Sequence, residues 1–233
     1  MFQKLKDHLK KLRADMRPMS FRDKLDHLWT YYKEVLLVFL LAVMVVCVLI
    51  SSIMNLNNET LSYGVLGNVS CSADGYSYLT EDYFQEIADN PKKQRIYLDS
   101  IAFEDAALAE DVDMNYQASM RLLAMVSGKM VDYMFLDHYT MEFYMADDFY
   151  MDLTQLLTAE ELEALGSRLI YAQPEDFDEM FPVAIDVSDM PYVKENIRTG
   201  DNDKRVYLTF AANTERPDNC RQVWDRICAW QPE

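Results

Sequence analysis

The chain has 233 residues, half of them hydrophobic, with 39 acidic side chains against 22 basic ones and a formal net charge of −17. The imbalance is uneven: residues 1–34 carry nine Lys/Arg against five acids, whereas residues 55–233 carry 13 basic and 34 acidic side chains, a net of −21. Phosphate backbones are held by clustered Lys/Arg, so nucleic acid is excluded as a partner of the larger part.

From the N-terminus, Phe2, Leu5, Leu9 and Leu12 recur at spacings of three and four with Lys4, Lys6, Lys10, Lys11 and Arg13 between them. This describes either a basic amphipathic helix suited to an anionic inner leaflet or a positive tail that sets topology. After Arg17-Pro18, Ser20 and Asp23 have capping-box spacing, and Phe21, Leu25, Leu28 and Tyr32 form a stripe that continues into Val35 to Met54. Those twenty residues include no charge and rise about 30 Å as a helix, the thickness of a bilayer's hydrocarbon core. A signal peptide has a shorter apolar core at the extreme N-terminus, so the segment is predicted to be an uncleaved anchor. Trp29, Tyr31, Tyr32 and Lys33 fall where an interfacial belt belongs, and the basic excess before the span places the N-terminus in the cytoplasm. The expected organisation is a basic cytoplasmic segment (1–34), a single transmembrane helix (35–54) in the cell membrane, with lipid as a partner, and an acidic extracytoplasmic domain (55–233).

In that domain, LSYGVLG (61–67) and RIYLDSI (95–101) read as strands, with a helix beginning near Thr80 and running to Ala88 between them. Tyr116, Met120 and Leu123, with Ala118, Leu122 and Met125, predict the buried side of a helix closed by a left-handed Gly128, followed by the strand MVDYMFLD (130–137). A helix is expected from Thr140 to Asp147. Thr158 and Glu161 then make a capping box for one ending near Gly166; RLIYA, FPVAIDV with Pro182 at its start, and VYLTFAAN read as further strands. Pro217 suits the first turn of a terminal helix whose apolar face is Cys220, Val223, Trp224 and Ile227. Alternation of strands and helices predicts one α/β domain of three layers with a mostly parallel sheet and right-handed crossovers.

Chemistry-bearing residues are sparse. The single outer histidine, His138, stands at a strand's carboxyl end beside Asp137, where α/β folds place active sites, and Asp132 and Asp186 are the other strand-end acids. No nucleophile elbow, HExxH or phosphate loop accompanies them, so no enzyme activity and no cofactor are expected. Asp111, Asp113 and Asn115 begin like a calcium loop, but Tyr116 and Leu122 occupy the positions that need Gly and Glu, and the acids at 147–152 and 175–179 read as solvated faces; no metal site is predicted. Cys220 and Cys228 are about 12 Å apart on one helix and cannot pair; Cys71 and Cys47 are read as packing residues, with a Cys71 disulfide left open. The sequons at Asn58 and Asn68 matter only in a eukaryotic secretory pathway.

The run LAMVSGKMVDYMFLDHYTMEFYMADDFYMDLTQLLTAEELEAL is similar to a stretch of bacterial extracellular solute-binding proteins: helix, Gly-containing turn (Gly128), strand ending in Asp137, helix, and an Asp152-Leu153 segment opening another helix. FPVAIDVSD and VYLTFAANTERPDNCRQVWDRI resemble that family's strand returning to the hinge and its final strand and helix, and SFRDKLDHLWTYYKE resembles the opening of bacterial single-pass proteins that carry such a domain outside. The resemblance implies a periplasmic-binding-protein-like fold. A two-lobe member usually exceeds 300 residues, and only about 20 residues lie between FPVAIDV and the final strand, so a single lobe is expected. Two functions follow: a membrane-anchored binding or protein-interaction module accessory to a transporter or envelope complex, or a single-lobe solute sensor. In both, the surface is expected at Asp137, His138, Tyr139, Phe143 and Tyr144, with Phe135 and Met141 in the same Met- and aromatic-rich cluster.

Overall fold

A computed structural model describes residues 37–52, 58–103, 112–145, 149–173, 179–200 and 203–232. The chain divides into two compact units, Met1–Asn57 and Asn58–Glu233. In the first, residues 37–52 are helical, with large apolar side chains from Leu37 to Ile50 facing outward on all sides. These sixteen residues rise about 24 Å, and among the described residues no helix is long and apolar enough to cross a membrane. The rest of the predicted span, the N-terminal amphipathic segment, the Ser20–Asp23 pair and the interface residues Trp29, Tyr31, Tyr32 and Lys33 lie outside the described residues.

The second unit is built on a six-stranded mixed sheet. Strand β1 (Glu59–Gly67) is followed by a short β2 (Val69–Cys71) and by helix α1, which runs Ala73–Ser77, widens into a π-turn at Tyr78–Asp82 and finishes at Tyr83–Ile87. The predicted start near Thr80 is corrected to Ala73: the Ser72 side chain accepts the Gly75 N–H, an N-cap that precedes the apolar stripe. Then come β3 (Gln94–Ile101), α2 (Val112–Ser127), β4 (Tyr133–Asp137), α3 (His138–Phe143), α4 (Ala159–Leu165), β5 (Leu169–Ala172), β6 (Phe181–Asp186), α5 (Pro191–Asn196), β7 (Ile197–Thr199), β8 (Val206–Phe210) and α6 (Pro217–Ala229). The sheet order is β3-β1-β4-β8-β6-β5, and β2 pairs with β7 separately.

The expected mostly parallel sheet is corrected. β1 pairs parallel with β3 and β4, but β4–β8, β8–β6 and β6–β5 are antiparallel. A parallel return needs a crossover of a dozen or more residues, and only 173–180 separate β5 from β6, so they pair antiparallel. Pro182 lies opposite Tyr171, where the register shifts, which spares the ladder a donor that proline lacks.

Alternation along the strands divides the core in two. Leu66, Tyr133, Phe135, Leu208 and Phe210 pack on one face with Leu79 and Tyr83 of α1 and Cys220, Val223, Trp224 and Ile227 of α6. Val65, Met134, Leu136 and Tyr207 pack on the other with Leu122, Met125 and Val126 of α2. On α2 only one apolar stripe is buried; Tyr116, Met120 and Leu123, predicted to be inside, are 64%, 46% and 45% exposed. The cap is also corrected: Met130 N–H reaches Met125 C=O and Lys129 N–H reaches Val126 C=O, a Schellman pattern that puts the left-handed φ of 56° on Lys129 rather than Gly128.

At the amino ends of the central strands, the fully buried Asp132 carboxylate gathers donors from three elements. It accepts the Tyr63 N–H at 2.8 Å, the Thr214 hydroxyl at 2.6 Å, the Arg216 Nε–H at 3.0 Å and the Asn219 amide at 3.4 Å. The Cys220 thiol donates to the Asp132 carbonyl, and burial pushes its pKa up to about 12, so the thiol stays protonated. Asp132→Ala strands Arg216 and three further donors. It is expected to cost about 3–5 kcal/mol, read as a lower urea midpoint of the purified chain.

A second clasp joins α4 to α6. Thr158 and Glu161 form the expected capping box, and Arg221 donates to both Glu161 oxygens at 2.8 and 2.6 Å. The Arg221 guanidinium holds the Glu161 carboxyl down to about 2. A depressed carboxyl contributes stability that is complete above its ordinary pKa near 4.5 and is lost as pH falls towards 2. Glu161→Gln is therefore expected to lower stability at neutral pH and to flatten the acid-side loss between pH 4.5 and 2. Parallel wild-type and variant slopes in that window contradict this coupling.

Candidate functional site

The β1 to β3 connection runs through α1 on one face of the sheet, and the β3 to β4 connection runs through α2 on the other. The neighbours β1 and β4 thus flank a switch point, and ligands of open α/β sheets bind outside the carboxyl ends of strands at such a point. Here those ends are Gly67 and Asp137. Gly67 is required by close packing: a Cβ there falls 2.7 Å from Leu136 Cδ2 and 3.4 Å from Thr140 Cγ2. The next residue, Asn68, adopts a left-handed φ of 56°, donates its N–H to the Ile101 carbonyl and accepts the Phe103 N–H at 2.6 Å, which brings Phe103 to the switch point.

Asp137 is buried, and its carboxylate caps α3 by accepting the Thr140 N–H at 2.8 Å. That carboxylate is committed to the fold. His138, 29% exposed at its side chain, looks towards β8. Its Nε2 lies 3.3 Å from Glu142, 3.8 Å from Asp203 and 3.4 Å from the Arg205 guanidinium, while Nδ1 is 3.4 Å from the Tyr207 hydroxyl. Arg205 Nε–H donates to both Asp203 oxygens at 2.8 and 2.9 Å and holds that carboxyl down to about 2. The result is a charge-paired patch whose histidine, among the described residues, meets no hydroxyl or thiol other than the Tyr207 phenol.

Asp186 is engaged by the Ser188 N–H and hydroxyl, and Asp132 belongs to the clasp at the opposite end of β4, about 16 Å along the strand from Asp137. The three acids and the histidine grouped by sequence as strand-end residues therefore do not converge. Among the described residues no group of acids, His or Cys has the arrangement of a metal site. Asp111, Asp147, Asp148, the acids at 175–178 and the side chains of Asp113 and Asn115 lie outside the described residues.

The aromatic members of the site do cluster, on the α2 side of α3. Tyr139 and Phe143 rings are 6.3 Å apart, Phe143 meets Tyr144 edge-on at 4.9 Å, Tyr144 stacks on Phe149 at 4.7 Å, and Phe103 meets Tyr144 edge-on at 6.2 Å. Of the residues expected at the surface, Phe143 is largely exposed, at 57%, Tyr139 is half-buried and Tyr144 is buried, as are Phe135 and Met141 of the same cluster. Phe103, Ser119, Tyr139, Thr140, Phe143 and Tyr144 line a recess of about 30 Å³, room for about one water. Sequence reasoning missed Phe103, Ser119 and Thr140; the Gly67-Asn68 pair, a close-approach residue followed by one that tolerates the left-handed region, was the available signal. Pockets for ordinary solutes are about 300–1,000 Å³, so this one is small.

In comparisons with known proteins, no family model, no curated protein and no solved structure matches the chain.

Because Phe143 is exposed and Tyr144 is core, their truncations should separate. Tyr144→Ala is expected to destabilise by about 3–5 kcal/mol and Phe143→Ala by less than about 1 kcal/mol, measured by chemical unfolding. Equal losses contradict the assignment of Phe143 to the surface.

Proposed function

We propose that the protein is a membrane-anchored extracytoplasmic interaction module, accessory to a transporter or envelope complex, whose contact surface runs along α2 and α3. The observation that carries this reading is the outward apolar stripe Tyr116, Met120 and Leu123 on α2, in the same layer as the exposed Phe143. The larger apolar side chains of the stripe stand at one-turn spacing, whereas a helix that needs only one buried stripe normally presents polar residues on the other side. Central aromatics of this kind concentrate binding energy at protein interfaces.

Anchoring is supported by the twenty uncharged residues 35–54, by the outward-facing apolar side chains over 37–52 and by the basic excess before them. The small volume of the strand-end recess weighs against capture of a sugar or peptide, which leaves the solute-sensor reading second. The likeness to a solute-binding lobe is part of this proposal and rests on the sequence pattern together with the mixed α/β fold.

Two measurements test it. With the exposed Cys228 replaced by Ser, Asn57→Cys should be labelled by an impermeant thiol reagent on intact cells and Lys11→Cys should not; the reverse pattern overturns the topology. A photo-crosslinking amino acid at Leu123 should form a discrete adduct in native membranes while one at the exposed Tyr171, on the far edge strand, should not, and Leu123→Glu should abolish adduct formation from Met120 without unfolding the domain. Equal crosslinking from Leu123 and Tyr171 contradicts the assigned surface.

A further inference from the structure

We infer that a cleft between α1, α5 and the carboxyl end of α6 binds a linear polyamine, a chain of ammonium groups joined by short apolar links. The cleft measures about 780 Å³, within the range of small-molecule sites, and lies on the face of the sheet opposite α2. Asp74, Tyr78 and Asp82 of α1, Glu195 of α5 and Trp230 just past α6 line it, and among the described residues no Lys or Arg does.

Charge selects the class of ligand. Asp74, Asp82 and Glu195 have no ion-pair partner among the described residues, whereas the cations of the three helices are all engaged: Lys194 with Asp189, Arg221 with Glu161 and Asp225, and Arg226 with Glu86. Spacing selects a chain of charges over a single ion. Asp74 and Asp82 stand eight residues apart, roughly 10 Å along α1, and Glu195 comes from another helix, so the three carboxylates do not converge on one metal ion. A linear polyamine distributes its ammonium groups at intervals of this kind.

Aromatic rings supply the second feature. Tyr78 and Trp230 both pack on the buried Tyr192, at ring-centroid distances of 5.7 and 5.9 Å, and the Tyr192 hydroxyl donates to the Gly75 carbonyl at 2.8 Å, which fixes the base on which both rings rest. The Arg226 guanidinium already lies 4.0 Å from the Tyr78 ring centroid, so a ring in this setting does hold a cation. Methylene links of the ligand cover ring surface while its ammonium groups meet the carboxylates. The α1 wall is the π-turn Tyr78–Asp82, a geometry that recurs at functional sites. No residue of α2 or α3 lines the cleft, so the site stands or falls apart from the contact surface proposed above.

Titrating the full chain in phosphatidylcholine nanodiscs with spermidine at about 0.15 M salt, and reading amide chemical shifts, tests the assignment. Saturable shifts are expected at Ser77, Asp82 and Glu195 and none at Phe143. Asp82→Asn and Glu195→Gln should each weaken spermidine about three- to fivefold, and Trp230→Leu, which keeps apolar bulk and removes the ring face, about threefold. Glu163→Gln removes the same charge from an exposed position on α4 and should leave the affinity within about twofold. Equal weakening by Asp82→Asn, Glu195→Gln and Glu163→Gln assigns binding to the overall negative charge and overturns the proposal, as do shifts that never saturate. Trilysine carries the same net charge as spermidine; tighter binding of trilysine gives the cleft to a basic peptide segment and overturns the proposal as well.

Discussion

A buried carboxylate with four kinds of donor around it holds the amino end of the central sheet together. Asp132 joins the start of β4 to β1 through the Tyr63 N–H and to the first turn of α6 through Thr214, Arg216 and Asn219. A guanidinium lies 3.0 Å away, and both carboxyl oxygens accept hydrogen bonds from the donors around them. Replacing all members by apolar groups is a different matter from removing one, which leaves a charge without its partner. α6 packs across Tyr133, Phe135 and Phe210, so its position decides whether one whole face of the sheet is covered.

The amino ends are clasped; the carboxyl ends of β1 and β4 lie at the opposite end of the sheet. The polar groups there are mostly spent: Asp137 caps a helix, Asp203 is paired with Arg205, and Asp186 orders the turn at Ser188. The large apolar side chains that remain outward on α3 and α2 are Phe143 and the stripe Tyr116, Met120 and Leu123. Tyr133 shows how tightly the frame below is packed. Its ring lies against Gly64, where a Cβ falls 2.4 Å from Cζ, and burial raises its phenol above the ordinary range. Contact or ligand chemistry at the strand ends thus rests on a rigid layer and is unlike a mobile loop site.

Much of this frame was legible in the sequence. The six strand segments, the Thr158–Glu161 capping box, Pro217 at the first turn of α6 and the buried Cys220, Val223, Trp224 and Ile227 all follow from local signals that agree with the global fold. Strand direction was less legible because alternation of strands and helices was extended past β4, where β5 and β6 are joined by a short connection and β8 enters antiparallel between β4 and β6. On α2, Tyr116, Met120 and Leu123 compete with Ala118, Leu122 and Met125 as apolar stripes on adjacent faces, and periodicity has no means of saying which one meets the sheet. Lys129 takes the left-handed position because the helix continues one residue further than the glycine rule implies. The Asp132 clasp left no local trace, since its strongest partner, Arg216, is 84 residues away.

The clasped end is structural, and the α2–α3 side is the proposed contact surface. Hydrogen–deuterium exchange of the full chain in native membranes, compared with the purified chain in nanodiscs, tests it most directly. Slower exchange over 116–127 and 138–143 in native membranes, with 94–101 and 217–229 unchanged, is the expected result. Protection confined to 217–229, or none anywhere in the domain, rules out a contact surface on α2 and α3.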